Sequence, residues 1–192
     1  KKEMYKKDIL RKKYYKLKKK KYYEINENFF LPLVKFIKSN IKKKFFKLAL
    51  YYPSNFEINV LKILENRYML NRTPLLPVID DKYQMNFFPW KKNKALQVNK
   101  YGILQPLKSE VTIPDIILIP LLAFDQDKHR IGYGKGFYDR YLSKLVKKKV
   151  KILTVGVAFS FQRYHKLSIS KNDVRLDLIL TNKGLKKWKY LY

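Results

Sequence analysis

The run Asp115-Ile116-Ile117-Leu118-Ile119 constrains the fold more than any other stretch of the chain. Four consecutive β-branched or Leu side chains leave neither face of a strand for water. Such a strand belongs inside a parallel sheet, and parallel neighbours need crossover connections that lay helices over the sheet. The rest of the chain reads as that alternation. Residues 45–52, 75–79, 150–159 and 176–181 have strand length and composition. Helical spacing occurs in residues 1–23, where Met4, Ile9, Leu10, Tyr14 and Leu17 form an imperfect apolar stripe, and in residues 32–44 through Leu33, Phe36, Ile37 and Ile41. It recurs from Glu57 through Ile58, Leu61, Leu64 and Tyr68, and again over residues 137–147. Residues 80–104 are polar, aromatic and punctuated, with no clear period. The pattern predicts an α/β sandwich around a mostly parallel sheet, and the length predicts a single domain over residues 1–192.

Composition removes several classes of function. Without cysteine there is no disulfide framework, thiolate nucleophile or cysteine-ligated zinc, which fits a reducing compartment and makes the cytoplasm the expected location. The apolar run over residues 116–124 is far short of the roughly 20 residues of a membrane helix and is broken by Pro120, so no bilayer span is expected. No apolar block follows the basic N-terminal residues, as it would in a secretory signal. The net charge of +29 points toward nucleic acid. Yet only seven of the 44 basic residues are Arg, the side chain that reads bases and forks onto phosphates. The Lys excess comes with abundant Ile, Asn and Tyr, the mixture that drift in an A/T-rich genome produces. The expectation is a monomer that acts on a small molecule, with no specific nucleic-acid partner.

Three of the six glycines fall within Gly132-Tyr133-Gly134-Lys135-Gly136, between the buried strand and the helix over residues 137–147. Glycine lets backbone N–H groups approach phosphate oxygens, and a helix that starts at Phe137 aims its positive end at the same place. Lys135 adds a point charge. Asp139, in the first turn, is favourable beside the helix dipole and is a candidate Mg²⁺ ligand bridging to phosphates. The same spacing also describes an ordinary glycine-rich turn, and it matches neither the P-loop nor the dinucleotide fingerprint.

The flanking residues add specificity. Pro114-Asp115-Ile116-Ile117-Leu118-Ile119-Pro120, Ala123-Phe124-Asp125 and the run from Arg130 through Gly136 to Phe137-Tyr138-Asp139-Arg140-Tyr141-Leu142 resemble the signature of the 5-formyltetrahydrofolate cyclo-ligase family. The resemblance continues through Lys7-Asp8-Ile9-Leu10-Arg11, Tyr52-Pro53-Ser54-Asn55-Phe56-Glu57, Leu76-Pro77, Met85-Asn86-Phe87, Tyr101-Gly102-Ile103-Leu104-Gln105-Pro106 and Asp173-Val174-Arg175-Leu176-Asp177. Leu121, Leu122, Gln105 and Phe137 depart from it, and Phe137 lacks the hydroxyl of a frequent Tyr.

This resemblance implies a Rossmann-like three-layer fold and MgATP-dependent closure of 5-formyltetrahydrofolate to 5,10-methenyltetrahydrofolate through phosphorylation of the formyl oxygen, with ADP and phosphate released. By the same resemblance, ATP is held by Lys7, Asp8, Ile9, Leu10 and Arg11 and by Arg130, Ile131, Gly132, Tyr133, Gly134, Lys135, Gly136, Phe137 and Tyr138. The folate is held by Arg11, Tyr52, Glu57, Tyr133, Gly134, Lys135, Gly136 and Phe137. Lys135 and Arg130 act on the transferring phosphoryl group, and Asp139 with Asp177 bind Mg²⁺. Read without the resemblance, Glu57 is an early-helix acid, Tyr52 a strand-end aromatic and Asp177 a strand-end cap. His129 and His165 read as surface residues without a metal motif, and Phe87 and Trp90 as core or pterin-pocket aromatics.

Overall fold

The computed structural model describes residues 2–70, 72–171 and 173–186; residue 1 and the end of the polar tail lie outside them. In chain order the helices are α1 (Lys2–Lys21), α2 (Leu31–Asn40) and α3 (Phe137–Lys147). The strands are β1 (Leu48–Ala49), β2 (Leu75–Ile79), β3 (Met85–Pro89), β4 (Leu96–Val98), β5 (Leu104–Pro106), β6 (Ile116–Pro120), β7 (Ala123–Phe124), β8 (Arg130–Ile131), β9 (Leu153–Val157), β10 (Leu178–Thr181) and β11 (Gly184–Lys186). Seven of them form one sheet in the order β11-β10-β9-β6-β1-β2-β3. The five central strands are parallel, with β3 and β11 antiparallel at the edges. The order runs one way from β1 to β2 and the other way from β6 to β9 and β10. The switch point, where a crevice opens beyond the carboxyl ends of the strands, therefore lies between β1 and β6.

Side-chain alternation fixes the two faces. Leu48, Leu50, Ile116, Leu118, Val155, Val157, Leu178 and Leu180 pack with Leu33 and Ile37 of α2. Ala49, Ile117, Ile119 and Ile179 pack with Tyr141, Leu142 and Leu145 of α3. Helices on both faces make the three layers. Helix α1 closes over the small β7–β8 hairpin through Tyr14, against Leu122, Ala123 and Ile131. No helix among the described residues is long and apolar enough to cross a membrane.

Gly156 marks the tightest point of the sheet. A Cβ there would lie 2.7 Å from the Ile179 and Leu176 methyls and 2.8 Å from a Leu121 methyl. Gly156→Ala should cost about 1–3 kcal/mol, the range for overpacking a core. Urea unfolding measures it, and unchanged stability would mean that these methyls move aside freely.

Several elements differ from the sequence reading. Helix α2 stops at Asn40, whose Nδ2 donates to the Phe36 carbonyl at 2.8 Å, and the chain turns extended at Ile41 before the triple-Lys run. The helix expected from Glu57 is a 3-10 segment, Val60–Glu65. Asn59 Oδ1 takes the Leu61 N–H and Asn66 Oδ1 takes the Tyr68 N–H, so two local side-chain bonds compete with helix propagation. Of residues 45–52 only Leu48–Ala49 is paired as strand. Strands β3, β4 and β5 fall largely within the stretch that showed no period; β3 hydrogen-bonds to β2, and β4 and β5 form a separate hairpin. On α1 the packed face is Leu10, Tyr14 and Leu17, while Met4 and Ile9 are exposed.

Candidate functional site

At the switch point lies a cavity of about 1240 Å³. Every residue from 130 to 140 lines it, Tyr52 and Glu57 approach from the segment after β1, and Lys7 and Arg11 reach in from α1. One concavity thus gathers most of the residues singled out in the sequence, from segments more than a hundred positions apart.

The glycine loop is held in one shape by arginines. Gly134 and Gly136 have φ of +94° and +67°, left-handed values that a side chain would strain. A Cβ on Gly136 would lie 2.9 Å from Arg140 Nη1, and one on Gly134 would lie 3.4 Å from Arg11 Nε. Arg140 Nη1 donates to the Lys135 carbonyl at 2.9 Å and Nη2 to the Tyr83 carbonyl at 3.1 Å, tying the loop to the β2–β3 turn. Arg11 Nε donates to the Gly132 carbonyl at 3.1 Å. These bonds draw loop carbonyls onto guanidinium groups. No side chain caps α3 at Gly136, so its first N–H groups are left uncapped where the helix opens on the cavity, with Asp139 in the first turn. Lys135 is exposed and lies 5.8 Å from the centre of the Tyr101 ring.

Arg130 and Asp139 form a charge pair in the wall. Arg130 Nη2 meets Asp139 Oδ1 at 2.6 Å and Nη1 donates to the Val174 carbonyl at 2.7 Å, with the Arg130 side chain 5% exposed. The Val174 N–H donates to the same Oδ1 at 3.3 Å. Lys7 pairs with Asp173, and that bond and the Ser170 N–H hold the Asp173 carboxyl below the usual carboxylate range despite its partial burial.

Glu57 has a different setting. Asn55 and Phe56 before it adopt left-handed backbone, φ 49° and 61°, at a cost of about 1 kcal/mol or more each. The turn brings Glu57 back on Ser54, whose N–H and hydroxyl donate to Oε2 at 2.9 and 3.3 Å. Burial raises the proton affinity of Glu57, while Lys18, Ser54 and the Tyr133 hydroxyl oppose it. Burial and then the neighbouring Glu57 charge push Tyr133 and Tyr138 well above the ordinary phenol value. Lys18 went unremarked in the sequence, yet it is 2% exposed and its Nζ donates to Tyr133 Oη at 2.7 Å. Its signal was periodic: Lys7, Arg11, Tyr14 and Lys18 share one face of α1 at spacings of four, three and four.

Other expected residues are not brought to the cavity. Asp8, Ile9 and Leu10 do not line it: Asp8 pairs with Arg11 at 2.6 Å, Ile9 is exposed and Leu10 packs under the helix. Asp177 is also absent from its walls. Its Oδ2 accepts the Thr154 N–H and hydroxyl, both at 2.7 Å, fastening the start of β10 to β9. Of the two carboxylates expected at one ion, Asp139 lines the cavity and Asp177 does not. His129 is half-buried rather than on the surface, with Nδ1 3.3 Å from Asp125 Oδ2. Asp125 also accepts the N–H groups of Asp127, His129 and Leu167, which is a turn-fastening role. Phe87 and Trp90 belong to the core.

Fold and cavity together define a doubly wound α/β protein with its ligand crevice at the switch point of a parallel sheet. The family model described as the 5-formyltetrahydrofolate cyclo-ligase family matches residues 6–182. The chain is 39% identical over 136 residues to the 5-formyltetrahydrofolate cyclo-ligase of Mycoplasma genitalium, an alignment that covers 70% of this chain and 72% of that one. It is 32% identical over 140 residues to the Haemophilus influenzae protein of the same name, with 69% and 74% covered. Among solved structures, the 5,10-methenyltetrahydrofolate synthetase of Aquifex aeolicus superimposes with a TM-score of 0.75 at 28% identity, covering 97% of this chain and 94% of that one. The chain belongs to the 5-formyltetrahydrofolate cyclo-ligase family and is an enzyme of the ligase class.

Proposed function

We propose that the cavity closes 5-formyltetrahydrofolate to 5,10-methenyltetrahydrofolate at the expense of ATP. The observation that carries this reading is the lining of one cavity by residues 130–140 together with Tyr52 and Glu57, within a chain that matches the family over residues 6–182. The formyl oxygen attacks the γ-phosphorus, ADP leaves, and the formyl carbon now bears a phosphate. The folate's second nitrogen attacks that carbon and gives up its proton, the ring closes, and phosphate departs. No protein nucleophile is needed. The chain contributes alignment and charge: loop N–H groups and the open end of α3 hold phosphates, while Lys135 and Arg130 offset charge on the transferring group. Tyr52 and Glu57 hold the folate on the other side. Purified protein with 5-formyltetrahydrofolate should develop the methenyl chromophore only when MgATP is added, and no chromophore with MgATP present would overturn the assignment.

Asp139 fits Mg²⁺. Its Oδ1 is engaged by Arg130 and Val174, while its Oδ2 has no hydrogen bond among the described residues, and one carboxylate with phosphate oxygens and water is a common Mg²⁺ environment. Bound there, Mg²⁺ would offset negative charge on the phosphates. Asp139→Asn should raise the Mg²⁺ concentration needed for half-maximal turnover and lower the maximal rate about tenfold or more, with folate affinity little changed. Asp177→Asn should leave the Mg²⁺ requirement where it was and instead cost about 1 kcal/mol of stability. Mg²⁺ titrations of both variants separate the roles, and an equal shift in both would return Asp177 to the metal.

A further inference from the structure

We propose that Lys18, which lies behind the cavity wall and does not line it, is a positioning residue for Glu57 and acts through the hydroxyl of Tyr133. The inference rests on the reading of Glu57 as a folate contact.

The argument is one of hydrogen-bond direction. An ammonium has donors only, so at 2.7 Å the Tyr133 oxygen must accept from Lys18 Nζ. The phenol has a single proton, which is then free for another acceptor, and Glu57, which lines the same cavity, is the carboxylate that acts on Tyr133. Polarity therefore runs Lys18 to Tyr133 to Glu57, while Ser54 donates to the carboxylate from its own side. Both charged groups are buried, with Lys18 2% and Glu57 8% exposed. A buried Lys without a carboxylate in range would favour its neutral form, and a buried Glu without a cation would favour its acid. Lys18 opposes the rise that burial imposes on Glu57, and Glu57 opposes the fall that burial imposes on Lys18. When ionised, Glu57, with Ser54 donating to one oxygen and the Tyr133 hydroxyl beside it, has lone pairs left to accept N–H groups of a reduced pterin.

The surrounding groups do not supply a substitute charge. Tyr51 comes from the segment after β1, Tyr138 from α3, Tyr15 from α1 and Tyr22 from the residue just beyond it, all of them phenols. Arg130, which influences Tyr138, is already taken by Asp139 and Val174. Burial lowers Lys18 to about 8, partly countered by Glu57. Below that pH the ammonium enforces the polarity. Above it the neutral amine can accept the Tyr133 proton, the hydroxyl turns from Glu57, and the pterin contact weakens.

Equilibrium binding of 5-formyltetrahydrofolate, measured by calorimetry from pH 6.5 to 9.5, tests the role apart from turnover. Wild-type affinity should fall as pH rises through about 8. Lys18→Met, a substitution of similar length that buries no charge, should bind about tenfold more weakly at neutral pH, the loss expected of one charge-assisted hydrogen bond, and should lack the alkaline limb. Lys18→Arg should move the limb out of range. A thermal transition at or above the wild-type value would show that Lys18→Met folds. As a second measurement, the Lys18 side-chain carbon resonance in the ligand-free protein, assigned by its absence in Lys18→Met, should titrate near pH 8, and Glu57→Gln should lower that midpoint. Wild-type affinity and pH dependence in Lys18→Met overturn the positioning role, and an unmoved midpoint in Glu57→Gln overturns the coupling. Failure of the wild type to bind folate overturns the proposed function instead, and the midpoint then judges the coupling by itself.

Discussion

Arg130→Met should lower turnover by about a hundredfold or more and cost about 2–3 kcal/mol of stability. The two losses have separate causes. The guanidinium lines the cavity, where its charge would face the transferring phosphoryl group, so its removal takes away stabilisation needed most in the transition state. It also bridges Asp139 and the Val174 carbonyl, linking the first turn of α3 to the irregular segment before β10. Without it, Asp139 keeps its charge with only the Val174 N–H for company. Breaking a fully buried pair costs about 3–5 kcal/mol, and the 29% exposure of the Asp139 side chain brings the figure down. Arg130→Lys should recover stability in part and turnover very little, since an ammonium cannot make both bonds of the fork. Steady-state kinetics and urea unfolding of the two variants test this, and a Lys variant with wild-type turnover would reduce the role of Arg130 to charge alone.

Lys135→Ala should produce the opposite separation. Turnover at limiting ATP should drop about a hundredfold, while stability stays within about 0.5 kcal/mol of wild type, because an exposed side chain with no ion pair among the described residues gives the fold little. The loss should appear first as a raised KM for ATP, with KM for folate nearly unchanged. Normal use of limiting ATP by the variant would move the phosphates elsewhere in the cavity.

These residues were legible because the chemistry needs a particular local pattern. Gly134 and Gly136 occupy backbone space that other residues avoid, and the buried strand, the loop and α3 follow each other without interruption, so sequence spacing and spatial proximity coincide. The helix expected after Glu57 failed because Asn59 and Asn66 divert backbone N–H groups that periodicity takes for granted. Lys18 was hidden by its surroundings: twelve of the first 23 residues are basic, and charge counting treats them alike. Its burial is decided by Tyr133, which is 115 residues away. Asp177 shows what a motif leaves open: its position marks a side chain as important without saying what it touches, and here it touches Thr154. The edge strands were missed for a related reason, since β3 and β11 are short and their pairing is set by partners in the sheet instead of by their own composition.

The Lys7–Asp173 bridge joins residues 166 positions apart. With Arg11 on the Gly132 carbonyl, it makes the first helix and the approach to the last parallel strand two walls of one chamber. The chamber is built from both ends of the chain, so it is complete only when they have met. A ligand that bridges these walls couples its binding to the integrity of the whole chain, raising apparent stability by RT ln(1 + [L]/Kd), about 2.7 kcal/mol at a hundredfold excess over Kd. Amide exchange in α1, far from the sheet in sequence order, should then slow together with exchange in β10, making the N-terminal helix a gauge of occupancy.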